Sequence, residues 1–260
     1  MSVEVCALSF FFYSFIGWLY ESIICSLIKE RRLINRGFLS GPYCPVYGCG
    51  AVLCYLLLGS IENPFMLFLA AAVLCSALEY VTGYGMEKLF QAKWWDYSHL
   101  PLNLHGRICL YGAILFGMGN VLICKKIQPG FIGLLQKFNS NILTVAVIIL
   151  VGIFIFDIIT SLRNWIDFNK HLKHLQELFV EKMTQAHEDI SDLYQSKIQP
   201  KIVANKRGIE VWVFDKKTQF EKRELRFLYA FPKLNIKSRD MLVRKVELRG
   251  HIRKVFGKWF

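Results

Sequence analysis

The sequence predicts an all-α membrane protein. About five transmembrane helices are built from a parallel two-helix repeat (2+2+1), and a cytoplasmic amphipathic helix and a basic tail follow. Three observations carry this expectation. Apolar residues are concentrated before residue 161, in runs long enough to cross a hydrocarbon core of about 30 Å. Two of the polar connections between those runs read as versions of one string. Charge divides sharply, with a net of +2 over residues 1–160 and +10 over 161–260.

The runs are Val5–Ile28, Val46–Ile61, Pro64–Tyr84, Ile108–Cys124 and Ile142–Thr160. The chain is 260 residues long and 54% hydrophobic, and its mean hydropathy is +0.34. Any one run could be a buried core helix, but five in succession are expected of a membrane domain. The second and fourth runs are short for a span. No basic segment precedes the first run and no small-residue cleavage site follows it, so it is expected to be a retained span.

The spans divide the chain into a transmembrane domain at 1–161, with repeat A at about 5–61, repeat B at about 64–124 and a fifth span at about 140–160. Residues 162–199 form the cytoplasmic amphipathic helix and 200–260 the basic tail. The positive-inside rule places the tail in the cytoplasm, and five spans then put the N-terminus outside. Lys29, Arg31, Arg32 and Arg36 fall on the inner side. Lys125, Lys126 and Lys137, read as the last external loop, run against the rule.

The repeat shows in two glutamates. Glu21 and Glu79 each lie inside an apolar run, and a Gly-x-x-Cys-(one or two)-Tyr-Gly string follows each. The first string is Gly41 to Gly48, with Cys44 and Tyr47; the second is Gly106 to Gly112, with Cys109 and Tyr111. Ser14, Gly17, Glu21 and Cys25 share one helix face, as do Ala72, Cys75, Glu79 and Gly83. Small residues allow close helix approach in lipid, so both glutamates are expected to face protein. Each lies roughly 12–13 Å along its helix from a basic residue, Lys29 or Lys88.

A charge at mid-span costs roughly 2.5–3.5 kcal/mol on insertion scales, so two at matching positions point to a purpose. They could form an ion or proton site, or a counter-ion for a cationic ligand. They could equally be buried salt bridges to Arg36 and Arg107. Both readings stay open.

Trp94, Trp95, Asp96 and Tyr97 form an interfacial aromatic cluster, in which Asp96 is expected to hold backbone amides of the loop. Asp157, with Arg163 six residues on, is expected to form an interfacial ion pair. All eight cysteines lie between Cys6 and Cys124 without a CxxC pair, so no zinc or redox cofactor is expected. No nucleophile–base pair or metal-ligand spacing argues for an enzyme.

Beyond the spans, Leu172, Leu175, Phe179, Met183, Ala186, Ile190 and Leu193 recur at three- and four-residue steps. This stripe over 172–193 suits a helical partner or a homo-oligomer. Ile209–Phe214 alternates as a short strand. Residues 238–260 place Met241, Leu248, Ile252, Val255 and Trp259 on one face among basic residues, which suits an anionic lipid surface. Nucleic acid is the weaker partner for this tail.

The membrane half resembles the ABC-transporter type IV (CmpB) family over about residues 8–120. The resemblance rests on Tyr13-Ser-Phe-x-Gly17-Trp18-x-x-Glu21 and Arg36-Gly-Phe-Leu-x-Gly-Pro-x-Cys-Pro45-x-Tyr-Gly48. Leu78-Glu79-Tyr-x-Thr-Gly83 and Trp94-Trp-Asp-Tyr-Ser98 followed by Asn103-Leu-x-Gly-Arg-Ile-Cys-Leu110 complete it. It implies a multi-pass protein of the cell membrane acting as a permease. It supplies no substrate and no catalytic residue. The chain has no Gly-x-x-x-x-Gly-Lys-Ser/Thr phosphate loop, so an ATPase subunit would be a separate polypeptide. The alternative function is a non-transporting scaffold or regulator that presents its basic tail to a partner.

Overall fold

The computed structural model describes residues 1–25, 35, 37–90, 92–195 and 235–236. Helix α1 spans Val3–Leu19 and is capped by Ser2, whose hydroxyl accepts from Val5 N at 3.4 Å. It passes directly into a wider π-helical turn over Tyr20–Cys25, which carries Glu21. Helix α2, Pro45–Leu58, starts with a proline in its first turn, where no amide donor is needed. Asn63 caps helix α3, Pro64–Phe90, by accepting from Phe65 N and Met66 N.

Among the described residues, four helical stretches are long and apolar enough to cross a membrane: Val3–Ile23, Pro64–Phe90, Leu110–Leu135 and Ser140–His171. The second predicted run folds as α2 with only 14 residues, which is about 21 Å of helix. It falls short of the hydrocarbon thickness on length alone.

The fourth run continues further than expected. Helix α4, Leu110–Leu122, leads through a π-helical turn at Ile123–Ile127 into helix α5, Gln128–Leu135. Lys125 and Lys126 therefore lie inside a helical stretch rather than in a loop. Pro129 has no amide for the preceding turn, and the wider π turn absorbs the missing bond. Lys125 extends to donate to Ile61 O at 2.6 Å.

Helix α6 runs unbroken over Ser140–Gln195, so the fifth span and the amphipathic segment belong to one continuous helix. The sequence from Ile153 to Gln195 contains neither glycine nor proline to stop it. The residues of the 172–193 stripe belong to this helix, but the faces of their side chains lie outside what the structure describes, as do Ile209–Phe214 and 238–260. The chain divides into one unit of residues 1–161 and 227–237 and a second of 162–226 and 238–260.

Within the first unit, α1 packs on α2, α3 on α4, and α2 on α3. Glycines set the close approaches. A Cβ on Gly48 would collide with the Phe10 carbonyl of α1, and one on Gly117 would meet the Phe68 ring of α3 at 2.7 Å. Cys54, Leu67, Ala71, Cys75 and Cys124 form the core between α2, α3 and the π turn after α4. Bulky apolar side chains point outward instead, including Leu57, Phe65, Val73, Val81, Ile148 and Phe156. A small, partly polar interior under an apolar exterior is the pattern that lipid demands and water forbids.

Short strands organise the connection after α3. Strand β1, Ala92–Lys93, pairs antiparallel with β4, Asn235–Ile236, so a piece of the tail joins the membrane unit. Strands β2, Asn103–Leu104, and β3, Ile108–Cys109, form a hairpin with Asn103 opposite Cys109. Its tip holds His105 and Gly106 at positive φ, 54° and 69°. A Cβ on Gly106 would stand 2.6 Å from Asp96 Oδ1, so the turn depends on glycine there.

Candidate functional site

The two matching strings do equivalent work at their helix starts. Cys44 is the N-cap residue of α2 and Cys109 that of α4, each in extended backbone. This brings the first turns of both helices alongside the two glutamates.

Glu21, half-buried on the π turn, accepts a hydrogen bond from the Tyr47 hydroxyl at 2.7 Å. Glycine makes the approach possible, because a Cβ on Gly17 would occupy the space of the Tyr47 ring. Glu79 on α3 is 8% exposed and accepts from the Tyr97 hydroxyl at 3.1 Å. Its second oxygen faces Gly112 in the first turn of α4, 4.0 Å from where a Cβ would stand. Each carboxylate thus takes a tyrosine hydroxyl, but the donors differ. Tyr111, the sequence counterpart of Tyr47, is exposed, and Tyr97 from the loop replaces it.

Electrostatics joins the two halves. Burial lifts the Tyr97 phenol above its ordinary range, and the charges of Glu79 and then Glu21 lift it further. Tyr97 therefore stays protonated as a donor, with both carboxylates close enough to act on it. Burial likewise pushes the Cys44 thiol up to about 12, with Glu21 adding to the shift. One partly buried neighbourhood holds two carboxylates, two phenols and a thiol that keeps its proton.

The arginines divide differently from the expected pattern. Arg107 pairs with Glu87, with Nη2 at 2.6 Å and Nε at 3.2 Å from the same Oε2. Its Nη1 donates to the Tyr80 hydroxyl, and the guanidinium lies over the Tyr80 and Tyr84 rings. The expected Glu79–Arg107 bridge is thus replaced by Glu87–Arg107. Among the described residues, no Lys or Arg pairs with Glu79. Arg36 lies outside the described residues.

The loop around Trp94 fixes Tyr97 in place. Trp94 is buried edge-on against Phe38 and Phe90. Trp95 Nε1 donates to Arg107 O at 2.9 Å and packs over Gly83. Asp96 Oδ1 accepts from Ser98 N, while Tyr97 N donates to Gly106 O at 2.8 Å. Asn103 ties the hairpin, donating to Leu100 O and accepting from Gly106 N.

Asp157 is a further buried carboxylate, and it has a structural task. It accepts from Ser40 N at 3.1 Å and Gly41 N at 2.9 Å, and from the Ser161 hydroxyl. It holds the connection before α2 against α6. The expected ion pair with Arg163 gives way to these amides, because residues six apart on a helix face in different directions. Sequence reasoning missed Glu87 and the loop donor Tyr97 as partners. Glu87 carried a signal, as a third glutamate two turns beyond Glu79 on the same helix.

A bundle of apolar helices with carboxylates enclosed among them is a multi-helix membrane protein, and its interior polarity sets it apart from a simple anchor. The family model described as Putative ABC-transporter type IV matches residues 8–162, and the chain belongs to this family. No curated protein and no solved structure gives a significant match.

Proposed function

We propose that this protein is a permease or channel subunit of the membrane, in which Glu21 and Glu79 form one binding site for an inorganic cation or a small cationic solute. The observation that carries this reading is Glu79. It is a buried carboxylate with a phenol as donor and no basic partner among the described residues. A second carboxylate acts on the same phenol. Buried charge in lipid calls for a partner, and an arginine nearby has been given to Glu87 instead. A bound cation would satisfy Glu79, whose described donor is the neutral Tyr97 phenol.

In this proposal α2 counts as a fifth span, with neighbouring helices covering its short ends, and the two helix pairs derive from one duplicated unit. The N-terminus then lies outside and the tail inside, and a separate polypeptide supplies any ATPase. The scaffold alternative rests on the tail at 200–260, of which the described Asn235–Ile236 pairs with β1.

Thermal unfolding of the purified full chain in a panel of chloride salts tests the reading. Sodium, potassium and tetramethylammonium are compared at constant ionic strength. At least one cation is expected to raise the Tm of the wild type and not that of Glu21→Gln/Glu79→Gln. Equal behaviour of both proteins in every salt refutes the site.

A further inference from the structure

Polar side chains continue from the carboxylates through the apolar interior. Asn120, Cys124 and Gln128 recur every four residues along α4, the π turn and α5, and so share a face. Asn120 is 6% exposed and donates to Cys75 Sγ at 3.3 Å, one turn from Glu79. Gln128 is 1% exposed and donates to the Ser9 hydroxyl at 2.8 Å. Tyr13 stands one turn beyond Ser9, buried and within electrostatic reach of Cys124.

Three atoms on this line have no hydrogen-bond partner among the described residues: Asn120 Oδ1, Gln128 Oε1 and the Tyr13 hydroxyl. Each is costly to leave unsatisfied, and lipid offers nothing to bond it. Ordered water is the usual remedy for buried polar groups in this position. The line ends beside a cavity. Gln128 touches Met1 Sδ, and Met1 lines a cavity of about 450 Å³ together with Ser2, Val5, Tyr55 and Leu135. From Gln128 to Glu79 the path covers about 18 Å of helix rise.

We infer that this seam is a proton path, in which waters held by Gln128, Tyr13 and Asn120 link the cavity to the Glu79 carboxylate. A proton enters from cavity water and moves along the waters as each O–H bond breaks and the next forms. It ends as an O–H bond on Glu79, and no electrons change hands. Asn120 and Gln128 position water and do not titrate. The inference rests on Glu79 being a functional group, and it makes the proton itself the ion transported through that site.

The test uses the full chain in liposomes containing a trapped pH-sensitive dye. A potassium gradient with valinomycin makes the lumen negative. Internal acidification is expected to run at least tenfold faster than in protein-free vesicles. Asn120→Leu and Gln128→Leu, which remove the acceptor and leave an apolar side chain, are expected to slow it at least fivefold, as is Glu79→Gln. Asn120→Ser, which leaves room for a water, is expected to retain most of the rate. It also serves as the readout should the leucine variants fail to fold by size-exclusion profile.

Acidification no faster than in protein-free vesicles overturns the inference. So does an unchanged rate in Asn120→Leu and Gln128→Leu. If cations still stabilise the wild type selectively in that case, the carboxylate site stands and the seam alone falls. If neither flux nor cation stabilisation depends on Glu79, both readings fall.

Discussion

Replacing Glu87 by glutamine separates the carboxylate that pairs with Arg107 from the one proposed to bind a cation. Glu87 Oε2 accepts two hydrogen bonds from the Arg107 guanidinium, at 2.6 and 3.2 Å, and the two side chains are 5% and 16% exposed. Hydrogen bonds to charged groups contribute about 1.5–3 kcal/mol each, and removing one partner of a buried pair costs about 3–5 kcal/mol. Arg107 keeps the Tyr80 hydroxyl and two aromatic faces, which offset part of that loss. Glu87→Gln is therefore expected to destabilise the protein by about 2–4 kcal/mol. Glu79→Gln strands no cation among the described residues, and its amide oxygen can still accept from Tyr97, so its cost is expected to stay within about 1 kcal/mol. Equilibrium unfolding in mixed micelles, followed by tryptophan fluorescence, measures both. The double variant Glu87→Gln/Arg107→Gln is expected to recover most of the loss. A Glu79→Gln cost equal to that of Glu87→Gln would refute the division of roles.

Three further outcomes are expected. Gly48→Ala drives a methyl group into the Phe10 carbonyl of α1, and a loss of about 1–3 kcal/mol is expected in the same unfolding assay. Gly119→Ala, with open space around it, is expected to stay within about 0.5 kcal/mol. Asp157→Ala removes the acceptor for Ser40 N, Gly41 N and Ser161, so a loss of about 2–4 kcal/mol is expected, along with faster proteolysis near residues 37–44. Cysteines introduced singly at positions 62 and 200, in a background without reactive native thiols, report the topology: impermeant maleimide on intact cells is expected to label 62 and to spare 200.

Much of the bundle was legible because lipid makes composition informative. The apolar runs mark the helices, and the strings around Cys44 and Cys109 mark the starts of α2 and α4. The two glutamates stand out because an acid in an apolar run is costly. Partner choice was less legible. Glu79 and Glu87 lie two turns apart on one helix, and sequence spacing does not say which one the Arg107 hairpin reaches; the structure places the nearer one, toward the loop, in its grip. Lys125 and Lys126 suggested a loop, yet a long side chain can reach a carbonyl from within a helix, as Lys125 does at Ile61. Asp157 finds its amides more than one hundred residues away in sequence, beyond any local pattern. The repeat itself misled at one point. It suggested Tyr111 as the match of Tyr47, whereas the longer second connection brings Tyr97 to Glu79 instead.

The central claim is that Glu21 and Glu79 act as one cation site. Equilibrium dialysis of the stabilising cation against the wild type, Glu21→Gln, Glu79→Gln and the double variant measures this directly. A single shared site predicts that either substitution alone weakens binding nearly as much as both together. Losses that simply add, or a Glu21→Gln variant that binds as the wild type does, would contradict it.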